Sequence, residues 1–66
     1  MKSLELVAER NRKGLRQNDI SKLLNLSIIQ YGKKERGQVD FTISEVKKLK
    51  NILNLDANQI IEIFLT

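Results

Sequence analysis

Arg10, Arg12, Lys13, Arg16, Lys22, Lys33, Lys34 and Arg36 stand between positions 10 and 36 against only two acids, Asp19 and Glu35. That stretch carries a charge of +6, while the rest of the 66-residue chain carries −2. Guanidinium and ammonium groups gathered in this way attract phosphate, and such asymmetry is the electrostatic footprint of a nucleic-acid surface. A plain solvated lysine face is the alternative that charge alone leaves open. Other chemistry is thinly provided for. With no Cys and no His there is no thiol nucleophile, no imidazole base and no zinc-type ligand set. The chain has no phosphate loop and no paired acids on one helix face, so neither an enzyme activity nor a cofactor is expected.

The basic stretch ends in "LSIIQYGKKERG", residues 26–37, which has the form of one short helix with a glycine stop. At about 100° per residue, Ile28, Gly32, Arg36, Ile29 and Lys33 share an arc of about 140°. Tyr31 and Glu35 fall on the other side, which assigns them to the core: Tyr31 as the packing residue, Glu35 as a structural acid. Two isoleucines on an outward arc with two cations admit three readings. They touch thymine C5-methyl groups, which no other natural DNA base presents in the major groove; they cover a protein partner; or one of them is ordinary core. The wheel makes core the weakest of the three. Lys33, one turn after Ile29, is within reach of guanine O6 or N7 or is simply solvated. Gly32 costs about 0.8–1 kcal/mol of helix stability relative to alanine, which a close backbone approach to a groove or partner would offset.

Helices must position these groups. The chain has no proline and no segment alternating with period two. Leu4, Val7, Ala8 and Asn11 follow helical spacing and predict a first helix that Gly14 ends. Ile20, Leu23 and Leu24 define a second, from about Gln17 to Asn25. Ser27-Ile28-Ile29-Gln30 is a capping box opening a third, which Gly37 ends. Thr42-Ile43-Ser44-Glu45 opens a fourth, with Ile43, Val46, Leu49, Ile52 and Leu53 on one face. Asp56-Ala57-Asn58-Gln59 opens a fifth, leading into Ile60, Ile61, Ile63 and Phe64. The fold class is therefore all-α, five helices in one domain spanning residues 1–66. The second and third are joined by only Asn25-Leu26-Ser27, the sequence form of a helix-turn-helix. Asn25 tolerates the positive φ that such a turn requires, and Leu26 anchors it.

A chain this small has a marginal core, leaving helix packing and oligomerisation as its supports. "MKSLELVAERNRKG" lacks the apolar run of a signal peptide, and no stretch approaches the roughly 18–20 apolar residues that cross a bilayer. A soluble protein of the bacterial cytoplasm, associated with DNA and not with membrane, is the expectation.

"GLRQNDISKLLNLS", Tyr31, "KKERG" and "DFTISEVKKLKNILNLD" together resemble the Cro/CI-type (XRE, lambda-repressor-like) helix-turn-helix family. The matching positions are Gly14, Leu15, Gln17, Ile20, Ser21, Leu24, Leu26, Ser27, Tyr31, Glu35, Gly37, Phe41, Ile43, Val46, Leu49, Leu53 and Leu55, across about residues 4–64. The resemblance implies a compact five-helix DNA-binding domain whose third helix enters the major groove. It puts base-edge contacts on Ile28, Ile29 and Lys33, and phosphate contacts on Arg16, Gln17, Gln30 and Arg36. Arg10 joins the phosphate set as part of the basic cluster. Arg16 departs from the family pattern, standing where a Ser or Thr N-cap is usual.

"IIEIFLT" at the C-terminus holds more apolar surface than one side of a short helix buries. Its surplus, Ile61, Phe64 and Leu65, is the expected homodimer contact. The expected partner is a pseudo-palindromic double-stranded DNA operator bound by a homodimer. The expected role is that of a small transcriptional regulator, a repressor like the short Cro-like proteins of phages and mobile elements. The main alternative is a helical corepressor or antirepressor that turns the Ile28/Ile29 face to a protein.

Overall fold

Every helix start but one rests on hydrogen bonds that its own neighbouring residues supply. The computed structural model describes all 66 residues, Met1–Thr66, as five helices without strands. They are α1 Ser3–Arg12, α2 Gln17–Leu23, α3 Ile28–Glu35, α4 Ile43–Ile52 and α5 Ala57–Phe64. All three predicted capping boxes form. Ser27 Oγ accepts the Gln30 amide at 3.0 Å, and Gln30 Oε1 accepts the Ser27 amide at 2.9 Å. Thr42 with Glu45 and Asp56 with Gln59 repeat the arrangement. At the start of α2, Arg16 has no side-chain acceptor to offer. Only half a box forms there, with Asp19 Oδ2 accepting the Arg16 amide at 2.8 Å. The exception is α1, which has no capping side chain; the Lys2 amide donates instead to the Ile63 carbonyl at 2.7 Å, fastening the chain's start to α5.

The helix ends follow one pattern. After α2, Asn25 takes φ 59°, its amide reaches the Lys22 carbonyl at 3.1 Å, and the Leu26 amide reaches Ser21 at 2.8 Å. After α4, Asn54 takes φ 53°, with Asn54 to Asn51 at 3.3 Å and Leu55 to Lys50 at 2.9 Å. These paired bonds are Schellman motifs, which satisfy carbonyls that a helix end leaves free. Gly14 and Gly37 close α1 and α3 with the same paired bonds. In both asparagine turns the next residue is a leucine packed into or against the core, Leu55 fully and Leu26 in part. The one after that, Ser27 or Asp56, caps the next helix. The α2–α3 and α4–α5 connections are thus two copies of one local solution.

Leu6, Ile20, Leu24, Tyr31, Leu49, Leu53, Leu55 and Ile63 form the core, so every helix contributes. Phe41, between α3 and α4, meets the Tyr31 ring at 6.0 Å and the Phe64 ring edge-on at 5.7 Å. These are favourable aromatic geometries that hold α3 and α5 to the same loop. No helix is long and apolar enough to cross a membrane.

Three predicted faces turn out differently. In α1 the inward side is Leu6 and Glu9 with Ser3, Val7 and Arg10 half-buried, while Leu4 is 84% exposed and Ala8 and Asn11 face solvent. The helix is rotated because Arg10 has a buried partner in α3, described below, and Leu6 lies one turn before it on the same side. Leu23 and Ile43, expected inward, are 57% and 78% exposed. Leu24 and Leu49 take the core positions in their helices.

The turn chemistry gives a direct test. Alanine in the left-handed region costs about 1–2 kcal/mol, whereas asparagine and glycine are tolerated there. Asn25→Ala is expected to lower unfolding free energy by about 1 kcal/mol, with Asn25→Gly near wild type. Urea unfolding reads both, and equal losses for the two variants would contradict the turn assignment.

Candidate nucleic-acid interface

The turn at Asn25 and the cap at Ser27 set α3 across the end of α2, and α3 then divides as the wheel predicts. Tyr31 and Glu35 are buried, at 0% and 2% exposure. Ile28, Ile29, Gln30, Lys33 and Arg36 are exposed, with Ile29 the more open of the two isoleucines. Core packing is thereby removed as a reading of the pair.

Behind α3 lies a buried charge cluster. Glu35 accepts Arg10 Nε at 2.9 Å and Nη2 at 3.1 Å, a two-pronged pair. It also accepts Gln17 Nε2 at 3.0 Å. Arg10 Nη1 reaches on to the Leu15 carbonyl at 3.0 Å, just ahead of α2. Burial pushes the Glu35 carboxyl up, but the hydrogen bonds from Arg10 and Gln17 and the guanidinium charge outweigh it, so the group sits below the ordinary glutamate range. The neighbouring Tyr31 hydroxyl has no hydrogen-bond partner. Burial, with the Glu35 carboxylate beside it, pushes the phenol up and keeps it neutral.

This cluster corrects one expected contact and qualifies another. Arg10 was expected on phosphate, but its side chain is 12% exposed and its fork is committed to Glu35. It belongs to the scaffold. Gln17 is half-buried and spends a side-chain proton inward on the same carboxylate. Spacing gave no sign of a pair 25 residues apart. The only local hint was the wheel position of Glu35, an acid on the core side of α3.

The other cations sort by partner. Glu9 takes Arg12 and, at 4.0 Å, Lys13. Lys34 donates to Glu45 at 2.6 Å with both side chains nearly buried, tying α3 to α4. Burial pushes the Glu45 carboxyl up, and the bonds from Lys34 and from the Thr42 amide bring it below its usual range. Arg16, Lys22, Lys33 and Arg36 remain without an acid partner, and all four lie on or at the ends of α2 and α3. Lys47, Lys48 and Lys50 on α4 are also unpaired.

Gly32 is not on the open arc that its angle suggests. It is buried beneath Arg36 and Gln17: a Cβ built there would lie 3.1 Å from Arg36 Nη1 and 3.7 Å from Gln17 Oε1. Gln17, Ile28, Ile29, Gly32 and Arg36 together line one shallow depression on the outer face of α3. Arg16 is exposed beside α2, and Gln30 is exposed with its carbonyl engaged in the Ser27 cap. Of the expected dimer residues, Ile61 and Leu65 are 51% and 73% exposed, whereas Phe64 is half-buried against Phe41. Leu65 borders an apolar groove with Val39 and Ile43, two exposed residues that the helical pattern did not place on any interface.

The family description that matches this chain is the BetR domain, over residues 4–64. The Cro/CI-type family is not matched by name. No curated protein and no solved structure matches.

The Arg10–Glu35 pair predicts both a mutational and an acid response. Removing one partner of a buried pair costs about 3–5 kcal/mol, while replacing both with apolar groups is close to neutral. Glu35→Gln is therefore expected to destabilise strongly, and Arg10→Met with Glu35→Leu to recover most of the loss. A carboxyl held below its unfolded value stabilises the fold above that value and loses the contribution as pH falls through the folded one. Wild type should thus lose stability below about pH 4 more steeply than the double variant. Parallel acid limbs in urea titrations would contradict the assignment.

Proposed function

The chain belongs to the BetR-domain family, small helical domains of DNA-binding type. From that premise we propose that it is a sequence-specific double-stranded DNA-binding transcriptional regulator, a repressor that lays α3 in the major groove of its operator. One observation carries the reading. Of the eight cations between positions 10 and 36, four lack an acid partner, and all four lie on or at the ends of α2 and α3, where Lys34 alone is paired. Unpaired positive charge along two helices joined by a tight turn is what docking against a phosphate backbone would use.

In this reading Arg16 and Gln30 hold phosphates on either side of the groove, and phosphate contacts fix register without reading sequence. Gln17 supports them from the edge of the Glu35 cluster. Ile28 and Ile29 meet thymine methyl groups, and Lys33 reaches a guanine edge one turn further along. Two copies joined through Ile61 and Leu65 would place two α3 helices on half-sites about one helical turn apart. Occupying an operator that overlaps a promoter then blocks transcription, with no chemistry performed and no cofactor needed.

Two measurements test this. With Arg16 and the other unpaired cations of α2 and α3 near the phosphate backbone, affinity for a selected duplex should fall steeply between about 50 and 200 mM salt; a flat response contradicts DNA binding through these cations. Replacing thymine by uracil in the preferred site should weaken binding, and Ile28→Ala should abolish that difference at one position. If uracil duplexes bind as well as thymine duplexes, the isoleucine face reads no methyl group and is left as a surface for a protein partner.

A further inference from the structure

The side chain of Arg36 does not reach away from α3 toward a flanking phosphate. It lies back along the helix, in the direction that helical side chains favour, and covers the bare backbone of Gly32 one turn earlier. It ends in the same depression that Ile28 and Ile29 line, close to the middle of their arc. Gly32 leaves that seat open without adjustment: a Cβ there would stand 3.1 Å from Nη1, and the guanidinium would have to give by a few tenths of an ångström. Gln17 borders the same space, with its Nε2 held by Glu35 at 3.0 Å and its Oε1 turned toward Gly32. The centre of the outward face therefore carries a guanidinium flanked by two aliphatic side chains, seated over a glycine.

We propose that Arg36 is a base-reading residue that recognises a guanine through its O6 and N7, and that Gly32 is the positioning residue that seats it. The inference rests on the DNA-binding reading above and revises the phosphate contact expected for Arg36. A guanidinium fork matches guanine's two major-groove acceptors, and aliphatic neighbours match thymine methyl groups. The recognised element is thus a G·C pair neighboured by A·T pairs. The fork, and not the charge alone, does the discrimination, so lysine is no substitute.

The test is selection of bound duplexes from random DNA by the wild-type chain, Arg36→Ala, Arg36→Lys and Gly32→Ala, at one stated salt concentration. Helical content is checked by circular dichroism; Arg36 is exposed, and alanine at 32 favours helix. Wild type is expected to fix a G·C pair beneath Arg36 in each half-site, separate from the guanine assigned to Lys33. Arg36→Ala and Arg36→Lys should lose preference at that pair alone, by roughly tenfold or more, while Arg36→Lys keeps the wild-type salt dependence. Gly32→Ala, which changes no charge, should weaken preference at the same pair by crowding the guanidinium. Arg36→Ala weakening every duplex by one factor, with the selected sequence unchanged, overturns the inference and returns Arg36 to phosphate. An unchanged profile for Gly32→Ala overturns the role given to the glycine. Enrichment of no sequence by wild type removes the DNA-binding reading itself, an outcome distinct from both.

Discussion

A single carboxylate, that of Glu35, holds three helices in register. It takes both prongs of Arg10 from α1 and the amide of Gln17 from α2, and it sits on α3 itself. Taking two charges out of water is costly, and against an apolar replacement such a pair adds little stability. What it adds is geometry, because a fork and a carboxylate fit in one orientation where leucines would fit in several. The rotation of α1 follows from this contact. So does the fixed placement of Gln17 at the edge of the outward depression, so a buried interaction determines what the surface presents.

The acids elsewhere complete the sorting. Glu9 absorbs Arg12 and Lys13, and Glu45 both caps α4 and holds Lys34. Lys34 and Lys33 are adjacent in sequence yet have opposite fates, one nearly buried in an ion pair and one exposed. Counting charges along the chain shows that a basic surface exists. Only the fold says which cations remain to make it.

Much of the fold was legible because its punctuation is local. The three boxes at Ser27, Thr42 and Asp56 and the stops at Gly14, Asn25 and Gly37 each depend on residues within about one turn of each other. Sequence spacing is sufficient for interactions of that range. The wheel of α3 was legible for the same reason, and it placed Tyr31, Glu35 and both isoleucines correctly. Where the reading failed, the deciding partner was distant. Leu4, Ala8 and Asn11 satisfied helical spacing as well as Leu6 and Arg10 did, and only Glu35, far along the chain, chose between the two faces. Gly32 failed differently, since the wheel gives an angle and says nothing of a neighbouring side chain folded across it. Phe64 belongs with these, its role divided by Phe41.

The two asparagine turns have a consequence for how the chain reaches this state. Leu24-Asn25-Leu26-Ser27 and Leu53-Asn54-Leu55-Asp56 each stop one helix, anchor a leucine and start the next, all within four residues. Each turn can therefore form from residues close in sequence, before distant helices meet. Entropy lost in closing long loops is small for such a topology, and chains dominated by near-neighbour contacts fold quickly. A 66-residue chain without cysteine thereby shortens the time its apolar C-terminal segment spends exposed to other unfolded copies.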